Sequence, residues 1–199
     1  ISSNTITNNS IGIDIRAYAI NNTISRNTII DNFYSGIYVS LSSNNVITRN
    51  TIVQHLHGIY LYGSFATRNI LAENTVANNS HGVHVFQSSG NIFYHNNFIN
   101  NINQVYFDYS LTNLWDNGTE GNYWSDYDGK DADDNGIGDV PYVIDANNRD
   151  NHPLMHLWGY NKGYTEGPTY FKEIILAVVS ILAAAGIATY LLKIKRKSN

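Results

Sequence analysis

Apolar residues along the first half of the chain fall in short alternating runs that return every 22 to 24 positions. One column reads Ile13, Ile37, Ile59, Val83 and Val105, followed two residues on in each turn by Ile15, Val39, Leu61, Val85 and Phe107. A second column is Ile24, Ile47, Leu71 and Phe93, and a third is Ile6, Ile29, Ile52, Val76 and Phe98. Alternation of this kind belongs to strands with one buried face, because successive side chains of a strand point to opposite sides. Three strands inside so short a period, with no helical spacing among them, predict a solenoid whose every turn is one repeat. The expected fold is all-β, a right-handed parallel β-helix with three strands per 22–24-residue turn, the hand being the usual one for such coils.

Polar positions keep the same period. Asn4, Asn27, Asn50, Asn74 and Asn96 lie 23, 23, 24 and 22 residues apart, and Asn22, Asn45, Asn69 and Asn91 each precede a member of that series by five. Asn accepts the left-handed backbone of a sharp corner, and stacked Asn amides hydrogen-bond to one another along a coil, so these columns read as structural ladders. Gly12, Gly36, Gly58 and Gly82, with Gln104 in the fifth turn, form a third column. It is expected to supply either positive φ or close backbone approach.

Composition changes the picture at the other end. Residues 174–192 are nineteen positions without a charge, preceded by Lys172 and Glu173 and followed by Lys193, Lys195, Arg196 and Lys197. A helix of that length reaches roughly 28 Å, close to the hydrocarbon thickness of a bilayer. The basic residues behind it place the C-terminus in the cytoplasm and residues 1–172 outside. The organisation expected is a coil over 1–112, an acidic Gly/Asp-rich cap over 113–160, a linker over 161–172, a transmembrane helix over 173–192 and a basic tail over 193–199. Residues 1–172 carry eight Lys or Arg against fifteen Asp or Glu, which argues against a nucleic-acid partner. The absence of Cys excludes a disulfide scaffold and a thiolate metal site. The chain opens at Ile1 inside a turn rather than at Met. A longer precursor is therefore expected, with an export signal and further turns that protect the first strand edge.

Beyond the coil come Leu114-Trp115-Asp116-Asn117-Gly118, Gly121-Asn122-Tyr123-Trp124-Ser125-Asp126-Tyr127, Pro141-Tyr142-Val143-Ile144 and Asp150-Asn151-His152-Pro153-Leu154-Met155. With the preceding turns this block resembles the NosD-type β-helix proteins, called periplasmic copper-binding proteins, over residues 1–156, and in particular their membrane-anchored archaeal surface forms. The resemblance implies a β-helix outside the cytoplasm. For the namesake of the family it implies help in maturing the copper centre of nitrous oxide reductase beside a membrane transporter.

Copper asks for imidazole or soft sulfur ligands, and the chain offers seven His and one Met. His57 and His81 each directly precede the column Gly, so they stack in adjacent turns with His55 and His84 nearby. They are the copper candidates, with no third ligand apparent from the spacing. His152 and His156 flank Met155 and are lesser soft-metal candidates, with a capping contact the favoured reading. A calcium candidate lies further on: Asp131, Asp133, Asn135, the carbonyl of Ile137, and Asp139 occupy the first five odd positions of a D-x-D-x-[DN]-G loop, with Gly136 at its turn. Tyr142 stands where such a loop has its closing Glu, so Asp126, Asp128 or Asp145 would have to complete the shell.

Outward positions of the strand after the column Gly read Asp14, Tyr38, Tyr60, His84 and Tyr106, then Arg16, Ser40, Tyr62, Phe86 and Asp108. That is an aromatic face and not the carboxylate cleft of a β-helix lyase or hydrolase, so catalysis is not expected. Tyr38, Tyr60, Tyr62, His84, Phe86 and Tyr106 form the expected ligand-binding patch, suited to an extracellular glycan because planar rings pack on sugar faces. Two rivals stand beside it: copper handling through His57 and His81, and a passive envelope stalk in which the rings only pair along the sheet.

Overall fold

A computed structural model of the chain describes residues 1–109 and 111–159. Residues Ile1–Trp158 form one compact unit. The expected linker, transmembrane helix and basic tail lie outside the described residues, among which no helix is long and apolar enough to cross a membrane.

The fold is an all-β parallel solenoid of the right-handed type. Each full turn carries two short strands and one long one, as in Thr23–Ser25, Thr28–Ile30 and Ser35–Ser40. Stacking gives three parallel sheets. The long strands Ile11–Ile15, Ser35–Ser40, His57–Tyr62, His81–Phe86 and Asn103–Asp108 form one of them. The register is the one the apolar columns require: Ile37 opposes Ile59, Ile47 opposes Leu71, and Ile52 opposes Val76. Those residues are fully buried, 1% exposed or less, and each ladder is continuous, so every rung covers the one before it.

Toward the C-terminal end the rungs grow wider. Phe93 is followed by Trp115, stacked at 4.1 Å, and Phe98 by Trp124 at 4.5 Å, with Tyr142 stacked in turn on Trp124 at 4.3 Å. The polar pattern also runs past the expected boundary at residue 112. Asn96 donates to Asn122 and Asn91 to Asn113, while Tyr123–Trp124 extends the sheet of Asn97–Ile99. Asp150 sits beneath this layer with 0% exposure. One carboxylate oxygen accepts the Asn122 N–H at 2.7 Å and the Trp124 indole N–H at 2.9 Å, and the other accepts the His152 N–H at 3.0 Å. Burial pushes the Asp150 carboxyl up to about 6 in spite of these donors.

The ladders work differently from the expectation at the corners. Each ladder Asn accepts both the backbone and the side-chain N–H of its neighbour one turn away, as Asn50 does from Asn27 at 3.0 and 2.9 Å. The left-handed residue is the one before it: Arg26, Arg49, Glu73 and His95 have φ of 55°, 57°, 58° and 58°. Such backbone costs a non-glycine residue about 1–2 kcal/mol, and the paired amide bonds beside it offset that cost. A third ladder, Asn9, Asn32, His55, Asn79 and Asn101, carries an imidazole in place of one amide: His55 Nδ1 meets Asn79 Oδ1 at 2.9 Å and Nε2 meets the Asn32 amide at 3.2 Å. The Gly column serves close approach. A Cβ on Gly36 or Gly58 would sit 2.7 or 2.6 Å from the carbonyl oxygen of the next turn. Gln104 escapes the rule because, among the described residues, no further long strand stacks beyond its own.

Candidate metal centre

The long-strand sheet turns its outer face to a cluster of rings. In the register His57 opposes His81, and Tyr60 opposes His84. In a regular strand residues i and i+3 face opposite sides, but here pairing passes from His57 to Ile59 across the constrained Gly58. His57 and Tyr60 therefore both point outward, and so do His81 and His84. That break in alternation at the Gly, with the register unchanged, brings together three histidines that simple alternation would separate.

One nitrogen from each of His57, His81 and His84 lies within 4.8 Å of the other two. His57 Nδ1 and His81 Nδ1 are 3.1 Å apart, a hydrogen-bond distance at which one ring donates its N–H and the other accepts. His84 Nε2 is 2.9 Å from a carboxylate oxygen of Asp108, so that nitrogen carries the ring proton. Its Nδ1 is buried and has no hydrogen-bond partner. The rings are held by others: Tyr60 stacks on His84 at 4.1 Å, Tyr106 on His81 at 4.5 Å, and Tyr34 meets His57 edge-on at 5.1 Å.

Burial makes these imidazoles poor bases. Desolvation, with the neighbouring His84 and His81, drives His57 down to about 4. Desolvation lowers His81 and His84 as well, with Asp108 opposing it in both. At neutral pH all three are uncharged, which is the state in which imidazole binds a metal. An imidazole set of this kind suits copper, zinc or nickel rather than calcium or magnesium. The orphaned Nδ1 of His84 supplies the fit: it is a buried lone pair that the protein itself does not use.

Of the residues expected from the sequence, His57 and His81 lie side by side in adjacent turns, and His84 is the third imidazole beside them. The aromatic patch is buried at its centre. Tyr38, Tyr60, His84 and Tyr106 do share one outward column, but Tyr60 and His84 are each only 6% exposed. Their faces are spent on each other, and Tyr62 stacks likewise on Phe86 at 4.8 Å. Open ring surface is confined to the rim of the patch, where Tyr62 and Tyr106 are 37% and 39% exposed. His152 meets Asp116 at 3.6 Å, apart from the histidine cluster.

The acidic loop closes on its own backbone. Asp131 accepts the N–H groups of Asn135 and Gly136 at 3.0 and 2.7 Å, and Asp133 accepts the Asn135 side-chain amide at 3.0 Å. Asn135 Oδ1 accepts the Ile137 N–H at 2.8 Å, and Asp139 accepts that of Ala132 at 2.9 Å. Among the described residues, the group whose ligand atoms converge is the histidine one.

The family model for the periplasmic copper-binding protein (NosD) matches residues 1–129. The chain belongs to the NosD family. A curated relative, the probable ABC transporter binding protein NosD of Pseudomonas aeruginosa, is 48% identical over 52 residues, which is 26% of this chain and 12% of that protein. The chain thus matches about an eighth of that relative's length. Both descriptions are of binding proteins and neither names a reaction.

Proposed function

We propose that this NosD-family chain binds copper through His57, His81 and His84 and takes part in copper handling outside the cytoplasm. The observation that supports it above the others is the buried, unpartnered Nδ1 of His84 beside two imidazoles hydrogen-bonded to each other. Family membership points the same way, since its model is described as a periplasmic copper-binding protein. Bound copper would supply a soft cation held for delivery or storage. The chain's own residues supply neutral donors, a stacked aromatic surround, and one carboxylate, Asp108, against His84.

In this reading residues 113–159 serve as the closing end of the coil, since Trp115 and Trp124 are 1% exposed over the last Phe rungs. The uncharged run 174–192 serves as an anchor that holds the coil at the outer side of a membrane.

A copper competition titration tests the proposal. Wild type is expected to take one equivalent per chain. The double variant His57→Phe/His84→Phe keeps ring shape and stacking without the donors, and is expected to take none at the same concentrations while retaining the β-rich circular dichroism spectrum. Equal copper uptake by the variant would sink the assignment. Retention of the wild type on a polysaccharide array, lost in Tyr62→Ala, would return the outer face to glycan binding.

A further inference from the structure

Asp108 ends the long strand of the fifth turn, one turn beyond His84, and its carboxylate is 39% exposed. One of its oxygens meets His84 Nε2 at 2.9 Å, and the other accepts the Tyr106 hydroxyl at 3.3 Å. Tyr106 in turn lies flat on His81, 4.5 Å between centroids. The carboxylate is therefore held at both oxygens and ties two of the three histidines to one frame.

We infer that Asp108 is a positioning residue: it fixes His84 as the Nε2–H tautomer, so that the Nδ1 lone pair faces His57 and His81 as a ready ligand for a soft or borderline divalent or monovalent transition-metal cation. The chemistry follows from the two nitrogens of one ring. A neutral imidazole has one N–H and one lone pair, and an acceptor at Nε2 leaves the lone pair on Nδ1. Without that acceptor the proton is free to move to Nδ1, where the buried atom has no acceptor and the metal would meet an N–H. A carboxylate behind the ring also makes its far nitrogen more basic, which strengthens the bond to a cation. Asp108 is close enough for its charge to act on His57 and His81 as well, but its direct contact is with Nε2 of His84. It lies in the outward column Tyr62, Phe86, Asp108 and bears no load on the buried ladders.

The inference rests on the copper reading for its purpose but not for its first test. Nitrogen-15 NMR of metal-free wild type, Asp108→Ala and Asp108→Asn reports the tautomer of His84 directly. Wild type is expected to show Nε2 protonated and Nδ1 bare, Asp108→Ala a mixture, and Asp108→Asn the wild-type tautomer, since the amide oxygen still accepts from Nε2–H. A wild-type His84 protonated at Nδ1 overturns the inference whatever copper does. Copper titration of the same three proteins is the second arm. Asp108→Ala is expected to bind about 10–100-fold more weakly, and Asp108→Asn to recover much of the loss. Asp108→Ala binding as tightly as wild type, or Asp108→Asn as weakly as Asp108→Ala, overturns the positioning role while leaving the copper site standing. Failure of wild type to bind copper, with the expected tautomers in place, overturns the copper reading alone.

Discussion

The outer face around His81 and the loop from Asp131 to Asp139 are both dense in residues that hold metals, and folding treats them in opposite ways. In the loop the carboxylates of Asp131, Asp133 and Asp139 and the amide of Asn135 accept hydrogen bonds from the loop itself. On the sheet, three imidazoles converge and one keeps a buried lone pair with no partner. The reason lies in where backbone donors are free. A tight turn has unpaired N–H groups that need acceptors, and Asp and Asn provide them locally. In a parallel sheet the backbone is already consumed by the ladder, so outward side chains must find partners in one another, in solvent or in a ligand. Residue types nominate a site; unspent donors make one.

The largest expected effect separates the two regions by substitution. His84→Phe should weaken copper binding by more than about 100-fold, since loss of a ligand exceeds the 10–100-fold that loss of a ligand's support costs. Asp131→Asn with Asp133→Asn should leave copper affinity within about twofold, because these carboxylates accept hydrogen bonds from within their own loop. A competition titration on the two proteins decides it, and equal losses would merge the regions again.

A smaller effect divides the aromatic face itself. Tyr60 is buried against His84, while Tyr62 is 37% exposed. Tyr60→Ala should cost about 3 kcal/mol of stability, the usual penalty for emptying a buried aromatic position, and should weaken copper about tenfold by releasing the His84 ring. Tyr62→Ala should cost about 1 kcal/mol and leave copper unchanged. Denaturant melts with parallel copper titrations measure both.

The coil was legible because its rule is local and repeated. Ile37, Ile59 and Val83 bury for the same reason in every turn, and the period exposes them without any knowledge of the fold. Two elements were only half legible. The Asn columns were found, but the strained residue proved to be the one before each Asn, since the amide that spans two turns can only be weighed once the turns are stacked. His84 was expected near the His57–His81 pair and as one ring of the aromatic column, but not as the third metal donor, because alternation puts residues 81 and 84 on opposite faces and the break at Gly82 is a property of backbone packing. The repeated H-G-x-[YH] phrase of His57–Tyr60 and His81–His84 carried that signal. Asp150 was not legible at all. Nothing in Arg149-Asp150-Asn151 marks a carboxylate that will be buried under Trp124, which is decided by contacts between positions 26 and 28 residues apart.

Acid should affect the histidine face less than an ordinary imidazole site. Free imidazoles with a pKa near 6.5 take up protons between pH 7.5 and 5.5 and release metal. His57 is depressed to about 4, and His81 and His84 are also lowered, so protons compete with the metal only at lower pH. Copper affinity should therefore fall less between pH 7.5 and 5.5 than that of a site built from unperturbed imidazoles, and the loss of the His57 donor should come only as pH approaches about 4. The metal-free fold behaves differently over the same interval. Its depressed histidines refuse protons that the unfolded chain accepts, so stability is full above about pH 6.5 and declines as pH falls toward 4. Titrations at four pH values, with thermal melts alongside, check both signs.

The smallest expected effect belongs to the loop, and it is the one that could restore symmetry between the regions. The Asp131 carboxylate receives two backbone N–H groups, and Gly136, at φ 92°, makes the turn. Millimolar calcium, or its removal with a chelator, should move the melting temperature of the soluble coil by less than about 1 °C, since a ligand that does not bind the folded state cannot stabilise it. Asp131→Asn retains one oxygen to accept from the backbone and should cost under about 0.5 kcal/mol, whereas Asp131→Ala strands both N–H groups and should cost about 1–2 kcal/mol. Those two losses should be the same with and without calcium. A rise in melting temperature on adding calcium, abolished in Asp131→Asn/Asp133→Asn, would show that the hydrogen bonds of the loop give way to a cation. The contrast between spent and unspent donors would then hold only for the metal-free protein.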